Sequence, residues 1–158
     1  MPSALMNILW WTVFTLFGIW AQLLLPGVDV LVVGLLASLH EERPTQTLWL
    51  ALLWMFLQEG VSGLAFGSGI LWYAVLLGLY AVGRWLFQVK NLFFIALCGA
   101  VMGVWHYILT PMMASLQDYA VARDRLFVES CIQTLVFPPI WFVVHKLRAM
   151  RTTDAQAL

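Results

Sequence analysis

The stretch LPGVDVLVVGLLASLHEERPTQ, Leu25–Gln46, decides how many helices this chain can thread through a membrane. Pro26 and Gly27 break the apolar run that precedes it. His40–Gln46 is the first clearly polar loop. Between them, Val28–Leu39 is apolar but only about 12 residues long. A helix of that length rises ~18 Å, whereas a bilayer's hydrocarbon core is ~30 Å thick and is usually crossed by about 20 residues. Taken alone, the segment is a short or tilted span, or a re-entrant element. Asp29, just after the Pro-Gly break, is placed to cap its N-terminus.

The rest of the chain supplies the context. It has 158 residues, of which 63% are hydrophobic and 10% charged, and its mean hydropathy is +0.89. A soluble domain carries more polar surface than that. Five longer apolar runs predict spans over Ala4–Leu25, Thr47–Phe66, Ile70–Phe87, Leu92–Met113 and Leu126–Val144. The first is not followed by a small-residue cleavage site, so it reads as a retained span. With the short run, the prediction is an all-α polytopic membrane protein of six transmembrane helices. Residues 1–146 form one domain, and 147–158 form a polar, flexible cytoplasmic tail.

Basic residues orient the spans. With six spans and the N-terminus inside, Arg43, Arg84, Lys90, Lys146, Arg148 and Arg151 fall inside, and only Arg123 and Arg125 fall outside. This distribution places both termini in the cytoplasm. It weakens if Val28–Leu39 does not cross, which favours counting that run as a span. Net charge is zero, with eight basic and eight acidic residues, which argues against a nucleic-acid partner. Cys98 and Cys131 lie inside apolar runs and read as buried free thiols. The tryptophans cluster near span ends, as an interfacial belt would.

Small residues mark where helices approach closely in lipid. Glu59, Gly60, Gly63 and Gly67 share one arc of the third span at helical spacing. Ala74, Gly78 and Ala81 form a second stripe. Gly99-x-x-x-Gly103 forms a third, with His106 three residues on. These stripes serve packing within the chain or a groove for another protein's helix. Polar groups inside the spans are few. Glu59, with Gln58 and Ser62 beside it, reads as a structural carboxylate, a proton or ligand site, or a partner contact. His106 is the candidate partner for Glu59. Glu129 and Gln133, four apart, share a face that could meet a polar patch. Pro138 and Pro139, in FPPIW, remove two helix donors and predict a kink. No catalytic constellation, metal-ligand spacing or phosphate-binding loop occurs, so no enzyme activity, cofactor or metal is expected.

The whole pattern, from about Trp10 to Arg148, resembles the MreD family of bacterial rod-shape-determining proteins. The resemblance rests on the short second span in LPGVDVLVVGLLASL and the loop after it. It rests also on QEGVSGLAFGSG, with Glu59, Ser62, Gly63 and Gly67, and on the last helix, LVFPPIWFVVHKLR. The family more commonly has Asp where this chain has Glu59, and the tandem proline is a further departure. The resemblance implies a non-enzymatic scaffold of the bacterial inner membrane. It would bind MreC and act with MreB and the glycosyltransferase–transpeptidase pair of cell elongation, in contact with membrane lipid. It also implies a fold similar to the S component of energy-coupling-factor transporters. That likeness raises an alternative, a vitamin-sized ligand held by Glu59, Gln58, His106 and nearby tryptophans. Against it, the first span, WWTVFTLFGIWAQ, lacks the Ala-x-x-x-Ala motif of that group.

Overall fold

Val30–His40 is a helix of 11 residues enclosed by four of the other five, and every residue in it except Leu39 is buried. The computed structural model describes residues 4–61, 63, 65–86 and 91–154, with the backbone alone over 151–154. Its six helices are α1 (Ala4–Leu24), α2 (Val30–His40), α3 (Pro44–Val61), α4 (Ser68–Leu86), α5 (Leu92–Ser115) and α6 (Arg123–Asp154). Four of them, α1, α4, α5 and α6, are long and apolar enough to cross a bilayer. That marks the chain as a membrane protein. The central α2 rises only ~16 Å, and α3 carries polar residues near both ends.

Helix α2 packs on α1, α3, α4 and α6, while α3 meets α4, α4 meets α5, and α5 meets α6. In lipid, burial of Leu31, Leu35 and Leu36 contributes through close contact and not through escape from water. Gly34 makes the contact possible on one side. A side chain there would collide with Phe14 of α1 and the indole of Trp54 of α3. The Trp54 Nε1 donates to the Thr15 hydroxyl at 2.8 Å, and its ring meets Trp11 and Phe14 at centroid distances of 5.7 and 5.8 Å. Trp11, Trp54, Trp72 and Trp141 are therefore core residues, while Trp20, Trp49 and Trp85 are exposed as a belt requires.

The third stripe of small residues behaves as expected. A Cβ at Gly99 would lie 3.0 Å from the Thr134 carbonyl oxygen of α6, and one at Gly103 would collide with the Thr134 hydroxyl. Pro138 cannot donate to the carbonyl of Thr134, four residues back. Gly99 of α5 faces that carbonyl, and the closest approach is one turn on, at Gly103, against Ser130 and Thr134. Helix α6 runs unbroken through Pro138 and Pro139 and continues as helix to Asp154.

The first stripe does not behave as expected. Helix α3 stops at Val61, not Phe66, so Gly63 and Gly67 are not on a helix face. Their φ angles are +61° and +102°, which side-chain-bearing residues rarely adopt. No described atom comes within 4 Å of a Cβ at Gly60, Gly63, Gly67 or Gly78. The glycines of the 3–4 connection are therefore turn residues, and Gly78 faces outward with Ala74 and Ala81. Ser62 and Lys90 lie outside the described residues. Cys98 is buried, whereas Cys131 is on the outer surface of α6, and both are free.

Gly103→Ala should destabilise the bundle by about 1–3 kcal/mol through overpacking, whereas Gly78→Ala should be neutral or slightly stabilising. Thermal unfolding of both variants in one detergent checks this. Equal midpoints would show that the α5–α6 contact relaxes freely.

Candidate functional site

Helix α2 ends inside the bundle, so its terminal backbone groups need partners from elsewhere in the protein. At its start, Asp29 caps as expected. Its Oδ1 accepts from the backbone N–H groups of Leu31 at 2.8 Å and Val32 at 3.3 Å. It does more than cap. The same oxygen accepts from Gln22 Nε2 of α1 at 2.7 Å, and Oδ2 accepts from Trp72 Nε1 of α4 at 2.7 Å. The Asp29 backbone N–H donates to Gln133 Oε1 of α6 at 2.8 Å. One carboxylate residue thus ties three helices to the start of α2. Gln133, only 1% exposed, reaches it from the expected polar patch.

At the other end, Arg148 of α6 extends a fork to Glu41, with Nη2 to Oε2 at 2.6 Å and Nε to Oε1. Paired geometry of this kind is among the stronger ionic contacts. Arg148 Nη2 also donates to Asn7 Oδ1 at 3.0 Å, and Asn7 Nδ2 donates to Gln46 Oε1 at 2.7 Å. Gln46 returns to Glu41 Oε2 at 3.0 Å. The Tyr80 hydroxyl of α4 donates to the Leu39 carbonyl at 3.1 Å, which satisfies one C-terminal group of α2. The guanidinium lies 5.0 Å from the centroid of the Trp11 ring. Arg148 is 8% exposed, so this end of the last helix is anchored.

Sequence reasoning gave no role to Asn7, Gln22 or Glu41 and used Arg148 only to orient the spans. A signal was present. Asn7 and Gln22 on α1, like Gln133 and Arg148 on α6, are fifteen residues apart. Fifteen residues span ~22 Å of helix and return close to the same face. Each pair therefore supplies one residue to each polar level of the bundle.

Glu59 has an assignable task. Its Oε1 accepts from the N–H of Gly69 at 2.6 Å, and Oε2 accepts from that of Gly67 at 3.0 Å. These donors lie at the N-terminus of α4, where backbone N–H groups are unpaired and a carboxylate is favoured. Glu59 closes the α3–α4 turn. The expected pairing with His106 does not form. Instead, His106 Nε2 lies 3.9 Å from Glu129 Oε2, which is too long for a hydrogen bond, and its ring stands edge-on to Trp72 at 5.8 Å. Glu129 is held by Arg125 Nε at 2.8 Å.

At the Asp29 end the helices splay. A cleft of about 500 Å³ opens there, walled by Gln22, Asp29, Gln58, Ser68, Trp72 and His106 together with apolar residues such as Val61 and Leu109. Gln58, Trp72 and His106 are thus brought together, while the Glu59 carboxylate stays on the turn. Among the described residues no group of three or more His, Cys, Asp or Glu is arranged to hold a metal ion. The chain matches no protein-family model, no curated protein and no solved structure.

Asp29→Ala should cost about 2–5 kcal/mol, because it strands the Trp72, Gln22 and α2 donors together. Arg148→Met should cost a comparable amount alone but less when combined with Glu41→Leu, since the single change leaves one buried charge uncompensated. A double-mutant cycle in chemical unfolding reads the coupling. Strict additivity would mean that the fork contributes nothing.

Proposed function

We propose that the chain is a six-span scaffold subunit of the bacterial inner membrane, acting in the cell-elongation complex as MreD-like proteins do. Its role is to bind the transmembrane anchor helix of MreC and to support lateral wall synthesis with MreB and the glycosyltransferase–transpeptidase pair. The reading rests on the resemblance described above and on one structural observation. Of the three small-residue stripes, the one on α5 is filled by α6 and the one on α3 is a turn. Only the α4 stripe is an exposed helical face with nothing against Gly78 among the described residues. A bare face of Ala74, Gly78 and Ala81 allows another helix's backbone to approach, which is the usual basis of association in lipid.

The proposed topology puts both termini in the cytoplasm. The Arg148–Asn7–Glu41 network gathers the start of α1, the α2–α3 connection and the end of α6 at one end of the bundle. That is the arrangement in which the basic residues satisfy the charge rule. Helix α2 then counts as a span shortened by polar levels that reach inward to meet it.

Gly78→Leu is expected to reduce co-purification of MreC severalfold in mild detergent while leaving the unfolding free energy within about 0.5 kcal/mol of wild type, as for an outward-facing site. Recovery of MreC at wild-type yield would remove the α4 face from the interface. If pull-down of the unmodified chain captures no elongation component at all, the reading itself fails.

A further inference from the structure

The cleft at the Asp29 end is walled by more hydrogen-bonding groups than the fold uses. Ser68 is 4% exposed, yet its hydroxyl has no hydrogen-bond partner among the described residues. The same holds for His106 Nε2 across the cleft. Buried polar atoms left unpaired are costly, and each calls for a reason such as a bound water or ligand. Both residues lie on a concave wall of about 500 Å³, the size of a small-molecule site.

The charges around the cleft narrow what it can hold. No Lys or Arg is among the residues that wall it, and Asp29 is, so a phosphate or carboxylate would meet repulsion without a counter-charge. A cation fares little better, because each nearby carboxylate is already engaged. Asp29 accepts four hydrogen bonds, from Gln22, Leu31, Val32 and Trp72. Glu59 is held by two backbone N–H groups, and Glu129 by Arg125. What remains is uncharged and of mixed role: a serine hydroxyl, an imidazole nitrogen, and the side chains of Gln22, Gln58 and Thr110. A hydroxyl both donates and accepts, so it suits such a wall whichever way each group is turned. The apolar remainder, with Leu23, Pro26, Val61 and Leu109, suits an attached hydrocarbon portion.

We infer that this cleft binds an uncharged hydroxyl-rich group, such as a sugar or glycerol head, with Ser68 and His106 as its principal hydrogen-bonding residues. The group can come from a neutral glycolipid, with its tails in the bilayer, or from a free sugar. This site is at the other end of α2 from the Arg148 network, and it does not depend on the scaffold reading.

The test uses the full chain in phosphatidylcholine nanodiscs. Two probes are titrated: radiolabelled methyl glucoside in solution, and monoglucosyl-diacylglycerol incorporated in the disc. Saturable binding of either at one per chain is expected. Saturation by the lipid alone identifies a headgroup, and saturation by the free glucoside identifies a soluble source. Ser68→Ala and His106→Leu should each weaken binding about tenfold, the factor that one lost hydrogen bond of ~1.4 kcal/mol carries. The surface change Ser115→Ala should have no effect. Thermal unfolding of each variant checks that the bundle persists. The inference is overturned if neither probe saturates, or if both cleft variants bind as wild type. Equal displacement by phosphatidic acid or octadecylamine would overturn the uncharged class. MreC capture by the same nanodiscs is scored separately, so failure of one reading leaves the other intact.

Discussion

Helix α2 is too short to cross a bilayer's hydrocarbon core by itself, and it is buried on all sides. Everything distinctive about the bundle depends on that constraint. In hydrocarbon, an unpaired backbone N–H or C=O costs several kcal/mol. A helix rising ~16 Å cannot carry both its ends clear of a core ~30 Å thick. The chain resolves this by bringing polar side chains inward along the longer helices. Asp29, Gln22, Trp72 and Gln133 meet one end, and Glu41, Tyr80, Gln46 and Arg148 attend the other. The ~22 Å between the two polar levels is less than a typical hydrocarbon thickness. A spacing that short cannot put both levels beyond the core, so at least one of them depends on the protein for its hydrogen bonds.

Much of this architecture was legible in the sequence, and what was not has a physical reason. The cores of α1, α4, α5 and α6 follow from apolar length, and the Asp29 cap follows from a Pro-Gly break before an apolar run. The C-terminal end of α3 did not follow. Gly60, Gly63 and Gly67 repeat at helical spacing, but glycine serves close approach and left-handed turns equally well. Only the φ angles of Gly63 and Gly67 decide between them. The polar networks join residues up to 141 positions apart, beyond the reach of local pattern. The tryptophans misled for a related reason. Indole suits an interface, but Trp54 and Trp72 are buried with their N–H groups satisfied by Thr15 and Asp29.

Glu59 shows how the candidate site was half visible. The sequence presents a carboxylate among glycines, and acid and glycines do form one unit. The unit is a turn and not a seam. Two glycine N–H groups at the head of α4 hold the carboxylate, so Glu59 acts on architecture, and through it on the position of Ser68 and Trp72 in the cleft wall. His106, assigned to the same acid by proximity in type, is drawn instead toward Trp72 and Glu129. The residues that face the cleft are thus the neighbours of the conspicuous acid.

The two ends of the bundle differ in how completely they are closed. At the Arg148 end, a forked ion pair and two amides knit α1, the α2–α3 connection and α6 together, and aromatic rings close over them. At the Asp29 end, α1 is joined to the rest mainly through α2 and the Gln22 bond, because its contacts with α3 and α6 lie nearer its other end, at Asn7, Trp11, Phe14 and Thr15. A helix held at one end and loosely seated at the other leaves space between itself, α4 and α5. That space is the cleft, and its walls carry two unpaired polar atoms, the Ser68 hydroxyl and His106 Nε2. The outward small-residue face of α4 lies on a helix whose first turn forms part of the same wall. An occupant of the cleft and a helix on that face would both act on α4, one at its start and one along its side. If the two surfaces are coupled, the coupling runs through the Glu59-held turn, where neither partner would need to touch the other.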